Sequence, residues 1–359
     1  MNALTVSEAP AGTDPRATAT PSGATPEGSP APTGPAAIAV HELARRFGQL
    51  EAVKAVSFEV AHGELFGFLG PNGAGKSTTI NMLCTLLHPT GGRATVNGFD
   101  VAHQRSEVRR SIGLVFQQTT LDDYLSAEQN LRFHAYAYDV PRLDRDRRIE
   151  ELLRMVELWD RRKNRVRTFS GGMKRRLEIA RGLVHHPKVL FLDEPTIGLD
   201  PQTRRHIWEY LLRLREQEHL TIFLTTQYLD EAENCDRIAI IDHGEIVALD
   251  SPDGLKRSVG GDLITVSVSD SASAAEEIRS RYGHDPRIQD GTVRFHVPGG
   301  DTFLPEFVRS FPQQLRSVSL TRPSLEDVFI TLTGHEIRDE ELDSREQMLQ
   351  GRGRWGRRG

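Results

Sequence analysis

Cysteine is scarce: Cys84 and Cys235 are the only two in 359 residues, and their separation matches no metal-ligand spacing. A disulfide framework is excluded, and both thiols read as buried or incidental groups of a reducing compartment. Long apolar runs are missing too. No stretch reaches the roughly 20 residues that a membrane-spanning helix needs, although 38% of the chain is hydrophobic. Nor is there a strong charge of one sign. Lys and Arg number 45 against 50 Asp and Glu, a net charge of −5, which argues against general nucleic-acid binding. Hydrophobic periodicity is absent from residues 1–36, which are rich in Ala, Pro, Thr, Ser and Gly. They are expected to form a disordered tail, and they lack the basic start and apolar core of a secretory signal. The remainder is long enough to bury a sizeable core and suggests two domains.

The chemistry starts at Gly70-Pro71-Asn72-Gly73-Ala74-Gly75-Lys76-Ser77, continued by Thr78. A short apolar strand, Glu64–Leu69, precedes this run and a helical pattern follows it, which is the context a phosphate-binding loop requires. Its glycines let backbone N–H groups converge on phosphates, and the helix adds its positive end. Lys76 is expected to reach the β- and γ-phosphates of a nucleoside triphosphate, and the Ser77 hydroxyl to ligate a divalent cation. Further on, four apolar residues, Val189–Leu192, run into Asp193 and Glu194. A carboxylate at a strand's C-terminal end suits a cation contact, direct or through water, and its neighbour suits orienting or deprotonating a water. Between these motifs lies Phe169-Ser170-Gly171-Gly172-Met173. Ser170 is a good N-cap, and Gly171 and Gly172 leave backbone amides open to an anion. Behind them Met173, Leu177, Ala180 and Val184 recur at helical spacing, with Lys174, Arg175, Arg176 and Glu178 on other faces.

In this order the motifs resemble an ABC-transporter ATP-binding subunit, over about residues 37–250. The fold implied is α/β, a P-loop NTPase nucleotide-binding domain with a mixed sheet core and a helical subdomain. The resemblance implies ATP and Mg²⁺ as cofactors, with Ser77, Gln117 and Asp193 around the metal and Glu194 as the base. Phe47 stands where the family stacks an aromatic on adenine. Gln117, after Gly113–Phe116, matches the Q-loop glutamine, and Ile197–Asp200 matches the D-loop. The Ser170–Gly172 signature is implied to bind the γ-phosphate held by a second copy of the chain, so that two sites form in a homodimer. A motor of this kind without membrane helices must borrow a permease of about six spans, at the cytoplasmic face of the membrane.

Three positions depart from the commonest family pattern. Met173 replaces a glutamine, and Phe47 replaces a tyrosine while keeping the stacking face. Gln227, after the strand Leu220–Thr226, replaces the switch histidine. Glutamine donates a hydrogen bond but carries no proton near neutral pH, so Glu194 is expected to handle the proton alone while Gln227 positions. That glutamine and the distal run Arg322–Phe329 resemble the daunorubicin/doxorubicin-resistance branch of ABC-2-type exporters, which implies drug or antibiotic export. Lipid or glycan export, and a soluble ATPase acting on ribosomes or DNA, are the alternatives. A single phosphate loop and the lack of sustained heptads weigh against the soluble kind.

The stretch 118–170 is expected to be the helical subdomain, with Pro141 and the charged run Arg142–Arg148 breaking it. In the family the surface of this subdomain near the Q-loop grips a coupling helix of the membrane domain. Leu131, Phe133, Ala135 and Tyr136 lie near its start, and the aromatics are read as core in preference to that surface, with Asp144–Arg148 as a solvated face. From residue 255 to 334 short alternating elements suggest a small α+β domain without a cluster of His, Cys or carboxylates. It consists of three strand–helix pairs, the last being Leu315–Thr321 with Ser324–Leu332. The tail from His335 is charged and expected to be disordered. Its Gly351–Arg358 run, with four arginines and Trp355, is a candidate for peripheral contact with anionic lipid.

Overall fold

The computed structural model describes residues 36–289 and 291–335. Of the tails expected at 1–36 and 335–359, residues 1–35 and 336–359, with the arginine-rich end, lie outside the described residues. The alternation beginning at Ile38 becomes β1 (Ile38–Phe47) and β2 (Leu50–Val60), an antiparallel pair. Next come β3 (Leu65–Leu69), α1 (Lys76–Leu83), β4 (Gly91–Val96), β5 (Phe99–Asp100), α2 (Arg105–Ser111) and β6 (Ile112–Val115). The helical stretch holds α3 (Ala127–Ala137) and α4 (Arg142–Met155), and α5 (Gly171–Gly182) follows it directly. After it the chain alternates through β7 (Val189–Asp193), α6 (Pro201–Glu218), β8 (Thr221–Thr226), α7 (Leu229–Ala232), β9 (Arg237–Asp242) and β10 (Glu245–Asp250). The last part comprises α8 (Pro252–Ser258), β11 (Asp262–Ser267), α9 (Ser271–Glu277), β12 (Arg287–Gln289), β13 (Thr292–Val297), α10 (Gly300–Ser310), β14 (Ser317–Thr321) and α11 (Leu325–Thr333).

Three sheets result among the described residues. One is antiparallel, in the order β2-β1-β4-β5. The second, β10-β9-β3-β8-β7-β6, is parallel except for its edge strand β10. Strands β3, β7 and β8 are buried along their whole length, which is why their sequences read as continuous apolar runs and not as alternation. Phe58 of the antiparallel sheet lies 5.5 Å from Phe66, 5.6 Å from Phe68 and 6.0 Å from Phe223, so aromatic packing joins the two sheets. The carboxyl ends of β3, β6, β7 and β8 all open toward the motifs singled out above, where open α/β sheets bind ligands.

The helical stretch differs from expectation in three respects. Pro141 does stand at a break, at the N-cap of α4 after α3 has ended at Ala137, but the charged run does not break the stretch and supplies that helix's first turns. Proline is tolerated there because no helical N–H is required of it, and Asp144 in the first turn suits the helix dipole. Arg148 is not solvated: it is buried, pairs with Glu218 Oε1 at 2.8 Å and donates to the Leu183 carbonyl at 3.1 Å. Leu131 and Ala135 are core, but Phe133 and Tyr136, the aromatics expected there, are 70% and 57% exposed. Residues four apart share a helix face, and the inward face of α3 carries 131 and 135.

Beyond β10, the order β12-β13-β11-β14 makes a separate antiparallel sheet. Ile264, Val266, Val293, Phe295, Phe307 and Phe311 form its core with α9 and α10. Strand β12, three exposed residues without apolar alternation, was not anticipated. Helix α11 does not cover this sheet as the third strand–helix pairing implied. Its Leu325, Val328 and Phe329 join the main core together with Leu255 of α8.

One packing detail has a pH consequence. The rings of His134, Tyr138 and His185 cluster: Tyr138 stacks on His185 at 3.9 Å between centroids, and His134 lies 4.7 Å from Tyr138 and 5.9 Å from His185. Burial, reinforced by Arg181 and His185, lowers His134 to about 3, and burial lowers His185 to about 4. An unfolded histidine titrates near ~6.5, so below that pH the unfolded chain takes up protons that the fold refuses. Stability from this pair is complete above ~6.5 and declines as pH falls toward the folded values. Urea midpoints measured at pH 7 and pH 5 should therefore drop, and a His134→Gln/His185→Gln double variant should show a shallower drop.

Candidate active site

The phosphate loop is held from several sides before any ligand is considered. The Lys76 ammonium donates to the carbonyls of Gly70 at 2.7 Å and Pro71 at 2.9 Å, curling the loop around its own lysine. Gly70 N–H donates to Thr226 O at 3.3 Å, and Ala74 O accepts from Gly244 N–H at 3.0 Å. Gly75 has φ +106°, and a Cβ there would lie 2.5 Å from Ala52 O. Only glycine fits this position, for conformational and for steric reasons. Pro71 is buried, Asn72 and Gly73 are exposed, and Thr78 is half-buried in the first turn of α1.

At the carboxyl end of β7 the Asp193 carboxylate accepts from Ser77 Oγ at 3.1 Å and from Thr225 Oγ1 at 2.6 Å. Glu194 follows with φ +47°, a conformation rare for residues other than glycine. Its N–H donates to Thr225 Oγ1 at 3.0 Å. Its two carboxylate oxygens face Gln117 Nε2, donating at 2.9 Å, and the Lys76 ammonium at 3.4 Å. Lys76, Ser77, Gln117, Asp193 and Glu194 thus converge on one spot. A hydroxyl and a carboxylate 3.1 Å apart are a hard-oxygen donor set of the kind a magnesium ion takes.

The sequence reading missed what lies beneath. Arg175, assigned to a free face of the helix, is buried, and its guanidinium reaches four carbonyls. Nε donates to Pro195 O at 2.5 Å, Nη1 to Phe116 O at 2.5 Å, and Nη2 to Asp193 O and Glu194 O at 3.2 Å each. Glu178, also buried, pairs with it at 3.3 Å and accepts from Thr120 N–H at 2.7 Å. One side chain of α5 therefore ties the residues around Glu194 to those around Gln117. Glu231 is the second omission. Its carboxyl accepts from Thr196 Oγ1, and from Thr226 Oγ1 at 2.8 Å, with Arg204 at 3.9 Å. Burial raises this carboxyl above the usual range, against the pull of those hydroxyls. The brace links the turn after Glu194 to the strand end before Gln227. Thr225 is the third; the Thr225-Thr226 pair at a strand terminus was its only signal.

Other predicted residues stand apart from this convergence. Phe47, at the end of β1, is 45% exposed with the Arg45 guanidinium 4.5 Å from its ring centroid. Ser170 caps α5, accepting from Met173 N–H at 3.3 Å, as its residue type suggested. A Cβ on Gly172 would come 2.4 Å from Thr203 Cγ2, so the second signature glycine also permits α5 to approach α6. Asp200 caps α6, accepting from Thr203 N–H at 3.0 Å and Thr203 Oγ1 at 2.6 Å, bonds that hold its carboxyl below the usual range. Gln227 is half-buried on the turn after β8.

Removing Arg175 leaves the Glu178 carboxylate buried and unpaired. Arg175→Ala should destabilise the fold by about 3–5 kcal/mol, read as the change in unfolding free energy from urea titration.

Comparison with known proteins agrees with this site. The family model described as ABC transporter matches residues 53–197. Over 314 residues the chain is 40% identical to the daunorubicin resistance ATP-binding protein DrrA2 of Streptomyces coeruleorubidus, covering 85% of this chain and 97% of that protein. It is 36% identical over 304 residues to the linearmycin resistance ATP-binding protein LnrL of Bacillus subtilis, covering 82% and 97%. Among solved structures, it resembles the dimeric post-hydrolysis state of the ATP-binding cassette MJ0796 bound to ADP and Pi. There the TM-score is 0.54 and the identity 28%, covering 60% of this chain and 98% of that one. The similarity spans the phosphate loop, the carboxylate pair and almost the full length of both relatives, and the chain belongs to the ABC transporter family as one of its ATP-hydrolysing, ATP-binding subunits.

Proposed function

We propose that two copies of this ATPase close around two ATP molecules and drive a separate membrane permease that exports a hydrophobic drug or antibiotic. The observation that carries this reading is the likeness to two resistance proteins along nearly their whole length. It favours drug efflux over lipid or glycan export. Among the described residues no helix is long and apolar enough to cross a membrane, which fits a motor held at the cytoplasmic face by its permease. The distal sheet from about residue 255 is then an accessory domain that extends the dimer interface or shields the nucleotide domain.

Pairing is supported by how the signature is built. Within one chain the Ser170 and Gly172 turn is occupied with capping α5 and packing on Thr203, while its helix N-terminus keeps the polarity that attracts an anion. A partner's γ-phosphate is the natural occupant, and the likeness to a dimeric cassette bound to ADP and Pi supports pairing. ATP shifts the pair toward the closed state only by its differential affinity for that state.

The geometry around Lys76 and Glu194, with the family resemblance for Phe47, Gln227 and Asp200, supports these roles. The loop amides from Gly70 to Ser77, with Lys76 and Thr78, hold the phosphates, and Phe47 offers a stacking face for adenine. Ser77 and Asp193, with Gln117 beside them, would hold Mg²⁺, which neutralises charge on the phosphates when bound. Glu194 is the base. Its carboxylate is an acceptor held by Gln117 and Lys76 at the carboxyl end of the sheet, suited to take a proton from the attacking water. Gln227 orients the γ-phosphate and does not titrate, and Asp200 serves the D-loop contact.

Glu194→Gln should lower kcat by about 10²–10⁴-fold while leaving ATP-driven dimerisation, seen by light scattering, intact; turnover at the parental rate would remove Glu194 as the base. Gln227→Ala should cost only about 10–100-fold and leave the pH–rate profile unmoved. Drug efflux from vesicles that hold the chain and its permease should require ATP and fail with Glu194→Gln.

A further inference from the structure

We infer that Asp242, His243 and His335 form a binding site for a divalent transition-metal ion of the zinc class. Asp242 ends β9, His243 opens the turn to β10 with φ +46°, and His335 follows the α11 C-cap Gly334. One ligand atom from each lies within 4.8 Å of the others. Asp242 Oδ2 is 3.3 Å from His335 Nε2, and Asp242 Oδ1 is 3.8 Å from His243 Nε2. Nitrogen and oxygen ligands about 2.0–2.1 Å from a tetrahedral zinc sit about 3.3 Å from one another. The first pair meets that spacing as it stands. The second needs only a small swing of His243, whose side chain is 74% exposed.

The buried carboxylate supplies the independent reason. Asp242 is 8% exposed, and its Oδ1 is buried without a hydrogen-bond partner among the described residues. A buried, unmatched carboxylate oxygen is costly. A hydrogen-bonded Asp242–His335 pair satisfies Oδ2 and leaves Oδ1 unmatched, whereas a cation held by the carboxylate and both imidazoles engages Oδ1 as well. Imidazole and carboxylate are the ligand types zinc takes, and water completes a three-residue site. The pinned turn also seats the phosphate loop: Gly244 N–H donates to Ala74 O at 3.0 Å, and Gly244 O accepts from Lys54 N–H at 2.8 Å. Metal occupancy therefore ties the segment after α11 to the hairpin behind the nucleotide loop.

The test uses full-length protein without a histidine tag, stripped with chelator. It is titrated with Zn²⁺ by calorimetry in excess Mg²⁺, which keeps the Asp193 carboxylate out of competition. One Zn²⁺ per chain is expected, with Kd rising at least about tenfold in His243→Ala and in His335→Ala. His103→Ala, at the exposed pair with Asp100, should leave Kd unchanged. Zn²⁺ should raise the Tm of the parent and not that of His335→Ala, and circular dichroism in chelator checks that each variant folds. Absence of stoichiometric binding in the parent, or undiminished binding in both histidine variants, overturns the site.

Discussion

The buried guanidinium of Arg175 is the interaction on which the catalytic geometry rests. A single rigid fork holds the carbonyls of Phe116, Asp193, Glu194 and Pro195, so the carboxyl ends of β6 and β7 cannot move independently of α5. Burial lowers the affinity of this guanidinium for its proton, and Glu178 offsets the penalty. An ammonium on a flexible stem would not reproduce the planar reach. Because α5 starts at the signature serine, the same helix that offers its positive end to a phosphate also sets the spacing of Glu194 and Gln117.

Glu194 shows what that clamp is for. Its positive φ is a conformation that costs of order 1–3 kcal/mol, and it persists because neighbours over-determine it. Thr225 fixes its N–H, Arg175 its carbonyl, and Gln117 and Lys76 its carboxylate. Glu231 extends the bracing by joining Thr196 to Thr226. Each contact comes from a different strand end or helix, so the strain is carried by the sheet as a whole.

The distal part of the chain is bound into the same body. The apolar face of α11 lies in the main core and not on the small sheet beside it. His335 beyond it meets Asp242 behind the phosphate loop. That placement gives the segment after β14 a structural tie to the ATPase core that strand–helix alternation did not suggest.

What the sequence determined alone were the features written in contiguous residues. A phosphate loop binds through backbone amides of neighbouring positions, and a buried parallel strand is apolar along its length, so Gly70–Thr78 and Val189–Glu194 announce their own structure and chemistry. Ser170 and Asp200 were legible as caps for the same local reason. Tertiary structure alone decided the rest. A helical wheel shows that Arg175 and Glu178 leave the apolar stripe, but not that another segment's carbonyls wait on that side. It likewise left Phe133 and Tyr136 looking like core when both face outward. Asp242 and His335, 93 positions apart, carry no shared spacing to read. Local motifs persist because chain connectivity sets them; partners brought together by folding are set by packing, which no single segment encodes.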